Sequence, residues 1–410
     1  MSQGCPTFRP ASWWRRALAF LLAATGATTL AAAPGDLVAV TDEGLLRRSN
    51  VDAAVRVLFR RVAPPSALYP VAAYLVRFES RYHDGATAAV TAQLFVPEGA
   101  PLDTLYMFLP GTTGLIDRCR VSREHIAGIN WGRYRSHALA FSGQGVVSML
   151  PDYPGFGDPE RLQSYFHTET EAQMVLNGIR AAGHLLHTRH GTAPPRRVFL
   201  GGYSQGGHAM FAAADTRASI APDLAISGVI GYGPTRDVAT LLREFTVAAP
   251  MLIYSYAQIY GADRFDPTVI LKQQWLDTLT HDVTHNCIGA MQNHYSWSAA
   301  DMFSADFLQA LRQDDAAAYP TIAALMAANS PGLAGHGVPA LILQGTDDIV
   351  IAKSSQDRFV EQLRAAGSSV RYVVFAGGRH DTRQVGFQQA LAWMQEAGRH
   401  ASAWGVDVRL

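Results

Sequence analysis

The chain has 410 residues, 34 basic against 34 acidic side chains, and 48% apolar residues. That length allows a large core or two domains, and the neutral balance with no basic run gives no reason to expect a nucleic-acid partner. The 14 histidines are scattered and no Cys-x-x-Cys pair occurs, so neither a metal nor a cofactor is expected.

The N-terminus has the layout of a secretory leader. Arg9, Arg15 and Arg16 supply positive charge, residues 17–33 carry none, and Ala31, Ala32 and Ala33 offer a small-residue cleavage site before Pro34. Residues 1–33 are therefore expected to be a signal peptide, which makes the protein secreted or periplasmic and leaves no transmembrane span in the mature chain. The alternative is an uncleaved anchor, against which the run is short and rich in Ala and Thr. Arg15-Arg16 fits a twin-arginine signal poorly. Cleavage removes Cys5 and leaves Cys119 and Cys287, a pair that suggests one disulfide in an exported chain; two buried free thiols are the alternative.

Residues 34–67 read as mostly helical, with Val51, Val55, Leu58, Phe59 and Val62 at helix spacing and Pro64-Pro65 as the stop. Strands at 71–78 and 88–96 form an antiparallel hairpin across His83-Asp84-Gly85. Residues 104–109 are a continuous apolar run, as in the middle of a parallel sheet, and Gly111-Thr112-Thr113-Gly114 follows. A helix at 134–142, a strand at 145–150, a helix at 168–188 and strands at 197–200 and 226–233 continue the alternation. From 237 to 335 helices dominate: 239–246, 250–260, 267–279, 305–314 and 319–328. Strands return at 338–343 and 369–375. The alternation predicts a doubly wound, mostly parallel α/β sheet. Its core would comprise 34–236 and 336–410, interrupted at 237–335 by a helical cap or lid. Active sites of such sheets sit at the carboxyl ends of the strands.

The strongest chemical signal is Gly201-Gly202-Tyr203-Ser204-Gln205-Gly206-Gly207, a G-x-S-x-G turn between an apolar strand and a small-residue helix. Cβ atoms at Gly202 and Gly206 would collide with the strand and helix packed around Ser204. The turn lifts the Ser204 hydroxyl from the sheet and aims the Gln205 N–H beside it. A serine hydroxyl needs a base, and the base needs a carboxylate to fix its tautomer. The expected order is Ser, acid, His. Asp348 in the turn after 340–343 is preferred as the acid because Gly345, Asp348 and Ile351 have the usual spacing; Asp347 and Asp237 are the alternatives. His380, in the Gly-rich loop after the last strand, is the expected base, with His336, His285 and His281 behind it. The oxyanion hole needs two preorganised N–H donors, from Gln205 and from Thr112, with Thr113 as second choice for the latter. Aromatic and apolar residues at 251–256 could line an acyl pocket or form the cap's own core.

These residues resemble the secretory lipase family of α/β-hydrolases, the lipase A type. The resemblance rests on Gly111-Thr112-Thr113-Gly114 with Asp117-Arg118-Cys119, on Asp152-Tyr153-Pro154-Gly155-Phe156-Gly157, on Gly202-Tyr203-Ser204-Gln205-Gly206-Gly207, on Gln344-Gly345-Thr346-Asp347-Asp348, and on the strand 90–97 ending in Val-Pro. It implies a secreted serine hydrolase of carboxylic esters, often acylglycerols at a lipid–water interface, with a helical lid and Ser204, Asp348 and His380 as triad. Pro110 departs from the pattern, since members often carry His before the glycine. A short-chain carboxylesterase, a peptidase of the same fold and a non-catalytic binding protein are the other readings.

Overall fold

The computed structural model describes Met1 and residues 33–126 and 131–401, so the expected leader, apart from Met1 and Ala33, lies outside the described residues. Nine strands form one sheet: β1 (Leu37–Leu46), β2 (Val71–Arg81), β3 (Thr87–Pro97), β4 (Thr104–Leu109), β5 (Val147–Pro151), β6 (Arg197–Tyr203), β7 (Gly228–Tyr232), β8 (Ala340–Gly345) and β9 (Val370–Phe375). Their order is β1-β2-β3-β5-β4-β6-β7-β8-β9. The pairs from β1 to β5 by way of β2 and β3 are antiparallel, and those from β5 across to β9 are parallel. This is the α/β-hydrolase arrangement.

Side-chain alternation along β4 explains the layers. Leu105, Met107 and Leu109 enter one core, Tyr106 and Phe108 another, and all five are fully buried. A strand covered on both faces has no polar side to show, hence the unbroken apolar run. The first face is covered by α3 (Thr168–His190), α4 (Gln205–Ile220) and α14 (Lys353–Ala365) through Met174, Leu185, Met210, Phe211, Phe359 and Leu363. The second is covered by α1 (Arg48–Arg56), α2 (Tyr134–Gly143) and α15 (Phe387–Ala401) through Val51, Leu139, Phe141 and Trp393.

Between β7 and β8 the chain forms α5 (Val238–Glu244), α6 (Ala249–Tyr260), α7 (Pro267–Ile270), α8 (Gln273–Leu276), α9 (Leu279–His285), α10 (Ile288–His294), α11 (Ala299–Met302), α12 (Ala305–Gln313) and α13 (Pro320–Ala328). They share a core of their own in which Met251, Leu252, Ile253 and Tyr256 of α6 are fully buried. No helix of the described residues is long and apolar enough to cross a membrane.

Two expectations fail. Residues 34–67 are not mostly helical: β1 occupies Leu37–Leu46, and only α1 is α-helical. As an edge strand with register shifts, β1 is held by its backbone ladder to β2 and leaves Val38 and Leu45 exposed, so its sequence carries no period-2 signal. The helix expected at 267–279 is broken at Leu271 and Lys272, which are extended because Leu271 bridges Phe303. A backbone pairing across the fold overrides local helix propensity there.

Cys119 and Cys287 form a disulfide with a sequence separation of 168 residues, joining the loop after β4 to α10. Closing so long a loop restricts the unfolded chain. Replacing both cysteines by serine is expected to lower unfolding free energy by about 2–4 kcal/mol in urea denaturation; a change below about 0.5 kcal/mol would show that the bond does not form or does not restrict the unfolded chain.

Candidate active site

Ser204, Gln205, Thr112, Asp348 and His380 all lie in the segments that follow the carboxyl ends of parallel strands. Ser204 lies between β6 and α4 with φ 52° and ψ −116°, a backbone conformation that non-glycine residues rarely adopt. Crowding forces it. A Cβ at Gly206 would stand 2.0 Å from the Leu109 carbonyl oxygen, and one at Gly202 would stand 2.3 Å from the Gly206 oxygen. The turn is held by Ser204 N–H donating to the Tyr232 carbonyl at 3.3 Å and by Thr235 N–H donating to the Ser204 carbonyl at 3.0 Å.

The acid loop follows β8. The Asp348 side chain is fully buried. Its Oδ1 accepts from the N–H groups of Val350 and Ile351 at 2.8 and 2.9 Å, while Oδ2 accepts from Gln344 Nε2 at 3.0 Å and from His380 Nδ1 at 2.9 Å. Burial alone would push this carboxyl up; the charge and hydrogen bond of His380, with the two backbone N–H groups, outweigh it and hold it below its ordinary value. Asp347 instead is exposed and accepts from Thr346 Oγ1. Asp237 caps α5 through the Thr240 N–H. His336 meets the Val338 N–H, and His281 and His285 stack on α9 at 4.4 Å.

His380 lies in the loop after β9. Its ring stands 5.2 Å from that of Tyr203, and a Cβ at Gly233 would come within 3.0 Å of its Nδ1. His380 Nε2 is buried without a hydrogen-bond partner. With Nδ1 donating to Asp348, that nitrogen presents a lone pair. No hydrogen bond joins that nitrogen to the Ser204 hydroxyl here; catalytic hydrogen bonds are often long or unformed before substrate arrives.

The loop after β4 carries Thr112, whose Oγ1 shares a 2.7 Å hydrogen bond with the Tyr165 hydroxyl. Tyr153 donates to the Pro110 carbonyl at 2.7 Å, and Ile288 N–H donates to the Thr113 carbonyl at 2.7 Å. The loop is thus pinned from both sides although Pro110 replaces a histidine ring. Gln205, fully buried, opens α4 directly after Ser204.

Sequence reasoning missed several residues. Arg383, buried, chelates Asp381 next to His380, donates to the Gly132 carbonyl at 2.8 Å, and stacks over Tyr203 at 4.4 Å. Glu171 meets His208 and accepts from Gln205, the residue after Ser204. His208 could have been noticed as the residue one helical turn after Ser204; nothing in the sequence pairs it with Glu171. His281 and His285 also stand at His-x-x-x-His spacing, which the scattered-histidine reading does not allow for; among the described residues no group of three or more ligating side chains could hold a metal ion.

Comparison with known proteins adds family and fold. Residues 137–403 match the family model described as secretory lipase. A Mycobacterium tuberculosis protein named as a probable inactive lipase is 29% identical over 211 residues, 48% of this chain and 44% of that protein, so the match spans under half of that relative's length. The esterase LipA of Xanthomonas oryzae, described as rice cell wall degrading, superposes with a TM-score of 0.68 at 18% identity, over 89% of this chain and 97% of that one. Candida antarctica lipase A in its closed state gives 0.66 at 15% identity, over 89% and 82%. At such identities these two structures show the fold alone.

The depressed Asp348 carboxyl fixes a pH dependence. A group whose folded pKa lies below its unfolded value of about 3.9 stabilises the fold above that value, and the contribution is lost as pH falls through the folded pKa. Asp348→Asn should therefore be less stable than wild type at pH 6, with the gap narrowing as pH falls from 5 toward 2 in urea titrations. A gap independent of pH would rule out the linkage.

Proposed function

Because the chain belongs to the secretory lipase family, we propose that it is an exported serine hydrolase of carboxylic esters. What supports this reading is the Asp348–His380 hydrogen bond, with the His380 ring packed against Tyr203, the residue before a serine held at positive φ. In the proposed mechanism His380 Nε2 takes the Ser204 proton as Oγ attacks the ester carbonyl. Asp348 holds the imidazole in the tautomer that leaves Nε2 free and stabilises the charge that forms on it. The N–H groups of Gln205 and Thr112 receive the oxyanion; each such donor is worth on the order of 10²–10³ in kcat. His380 then protonates the leaving alcohol and activates the water that releases the acid. Residues 237–335 act as a cap over this site, and residues 1–33 as the leader; the family's secretory character and the disulfide support export.

Whether the substrate is an acylglycerol or a shorter soluble ester is decided by activity against esters of graded acyl length, in solution and as emulsion. A lipase profile rises with chain length and with the interface; an esterase profile peaks at short acyl chains in solution. The inactive lipase among the relatives motivates a second reading, a non-catalytic member on the same scaffold.

One experiment separates them. Wild type should hydrolyse p-nitrophenyl esters and react with a fluorophosphonate probe, Ser204→Ala should do neither while keeping its circular dichroism spectrum, and Asp348→Asn should lose on the order of 10⁴ in kcat. Turnover retained in Ser204→Ala, or no labelling of wild type, would overturn the assignment.

A further inference from the structure

Behind the proposed oxyanion hole lies a buried carboxylate that the mechanism does not use. Glu171, on the first turn of α3, is 1% exposed, and its partners Gln205 and His208 are 0% exposed. Burying a carboxylate and an imidazole in an apolar layer is costly unless every lone pair and proton is answered. Here most are. Glu171 Oε1 accepts from Gln205 Nε2 at 2.8 Å and from the Phe166 N–H at 3.3 Å. Oε2 meets His208 Nδ1 at 2.5 Å, and His208 Nε2 meets the Asn329 carbonyl at 2.9 Å.

The proton inventory follows from the partners. A carbonyl oxygen only accepts, so His208 Nε2 carries a hydrogen. Both donors on the other side converge on Oε1. One proton therefore remains, shared between Nδ1 and Oε2, and the pair as a whole is neutral. No net charge is buried, and Oε1 is left as the acceptor for the Gln205 side chain and the Phe166 N–H.

One of these partners carries a proposed oxyanion donor, and the other adjoins a residue bonded to the second. The first is Gln205 itself. Phe166 is held in the left-handed region at φ 54°, with its carbonyl accepting from the Tyr256 hydroxyl at 2.8 Å. Its neighbour Tyr165 is the residue whose hydroxyl bonds Thr112 Oγ1. Burial holds the Tyr165 hydroxyl well above its ordinary value, so it stays neutral and able to donate. One carboxylate oxygen thus reaches Gln205 directly and Thr112 through the strained 165–166 turn.

We propose that Glu171, buffered by His208, is a positioning residue that sets the spacing of the two oxyanion donors, Gln205 and Thr112. This deepens the serine-hydrolase reading and rests on it. It predicts that the tether, an acceptor at Oε1, matters more than the charge. A glutamine at 171 keeps that acceptor and can turn its amide toward His208 Nδ1 once the shared proton is gone; a methionine removes the acceptor.

The test uses the full protein, a soluble p-nitrophenyl ester and a boronic acid that mimics the tetrahedral intermediate. Glu171→Met should lower kcat on the order of 100-fold with KM within about threefold, and weaken the boronic acid by a similar factor. Glu171→Gln should recover kcat to within about fivefold of wild type. Should Glu171→Met fail to fold, the double variant Glu171→Met/His208→Leu, which replaces the pair by apolar side chains, carries the same expectation. Rates are taken per folded molecule, from thermal melts at the assay temperature. A methionine variant with kcat within threefold of wild type overturns the proposal. So does a glutamine variant that loses as much as the methionine one, since charge rather than the tether would then be acting. Failure of the underlying reading shows separately, as turnover that survives Ser204→Ala.

Discussion

The close approach of α4 to the end of β4 governs everything at this site. At Gly206 the helix backbone comes so near the Leu109 carbonyl that no side chain could be accommodated. That approach lets α4 begin in the residue after Ser204, and it forces the sharp turn that leaves Ser204 at positive φ. It also brings the start of α4 against the end of β4, where the loop that carries Thr112 begins. Strain of order 1–3 kcal/mol at one residue is affordable when the surrounding packing over-determines it. Here α4 buries Ala209, Met210, Phe211, Ala212 and Ala213 completely, and the sheet below supplies Leu109 and Leu200.

The helices between β7 and β8 take part in the same geometry. The acid loop, the oxyanion loop and the elbow helix each have an anchor on or beside those helices. Glu244, at the end of α5, accepts from the Ala352 N–H at 2.7 Å and from the Ser355 hydroxyl at 2.5 Å, at the N-terminus of α14 just beyond Asp348. Cys287 is bonded to Cys119, and the adjoining Ile288 N–H holds the Thr113 carbonyl. Asn329, just after α13, receives His208 on its carbonyl and donates to the Tyr260 hydroxyl at 2.6 Å. Swinging α5–α13 away as one body would break contacts to the acid loop, the oxyanion loop and the elbow helix together. A segment tied in this way behaves as a frame for the site, and any opening motion has to be confined to part of it.

What the sequence disclosed and what it hid divide along a physical line. The parallel strands were legible because burial on both faces leaves only apolar residues, as in Tyr106-Met107-Phe108-Leu109. Gly202 and Gly206 were legible because only glycine satisfies the crowding there, so the elbow announces itself locally. Ser204, Asp348 and His380 were nameable because each follows a recognisable strand. Features that depend on pairing between distant segments were not. β1 is held by main-chain bonds to β2, and main-chain bonds leave no trace in side-chain pattern. The break at Leu271 is set by Phe303, thirty-two residues on. Glu171, Tyr165, His208 and Arg383 read as ordinary helix and loop residues until the fold brings each beside its partner.

The network of buried polar groups also bears on whether this scaffold does chemistry. A relative carries the name of an inactive lipase, and a fold can outlive its reaction. Packing alone has no use for what this chain buries around Ser204. Asp348 is desolvated against His380, His380 Nε2 is enclosed without a partner, and Glu171 and His208 occupy positions that apolar side chains of similar volume could fill with equal or greater stability. The positive φ at Ser204 is a further cost that a glycine there would remove. Each departs from the most stable choice, and each lies at the elbow or on residues joined to it: His208 on α4, Glu171 bonded to Gln205, and His380 against Tyr203. Such clustering of individually unfavourable choices is what a preorganised reaction centre requires, since its dipoles must be in place before charge develops.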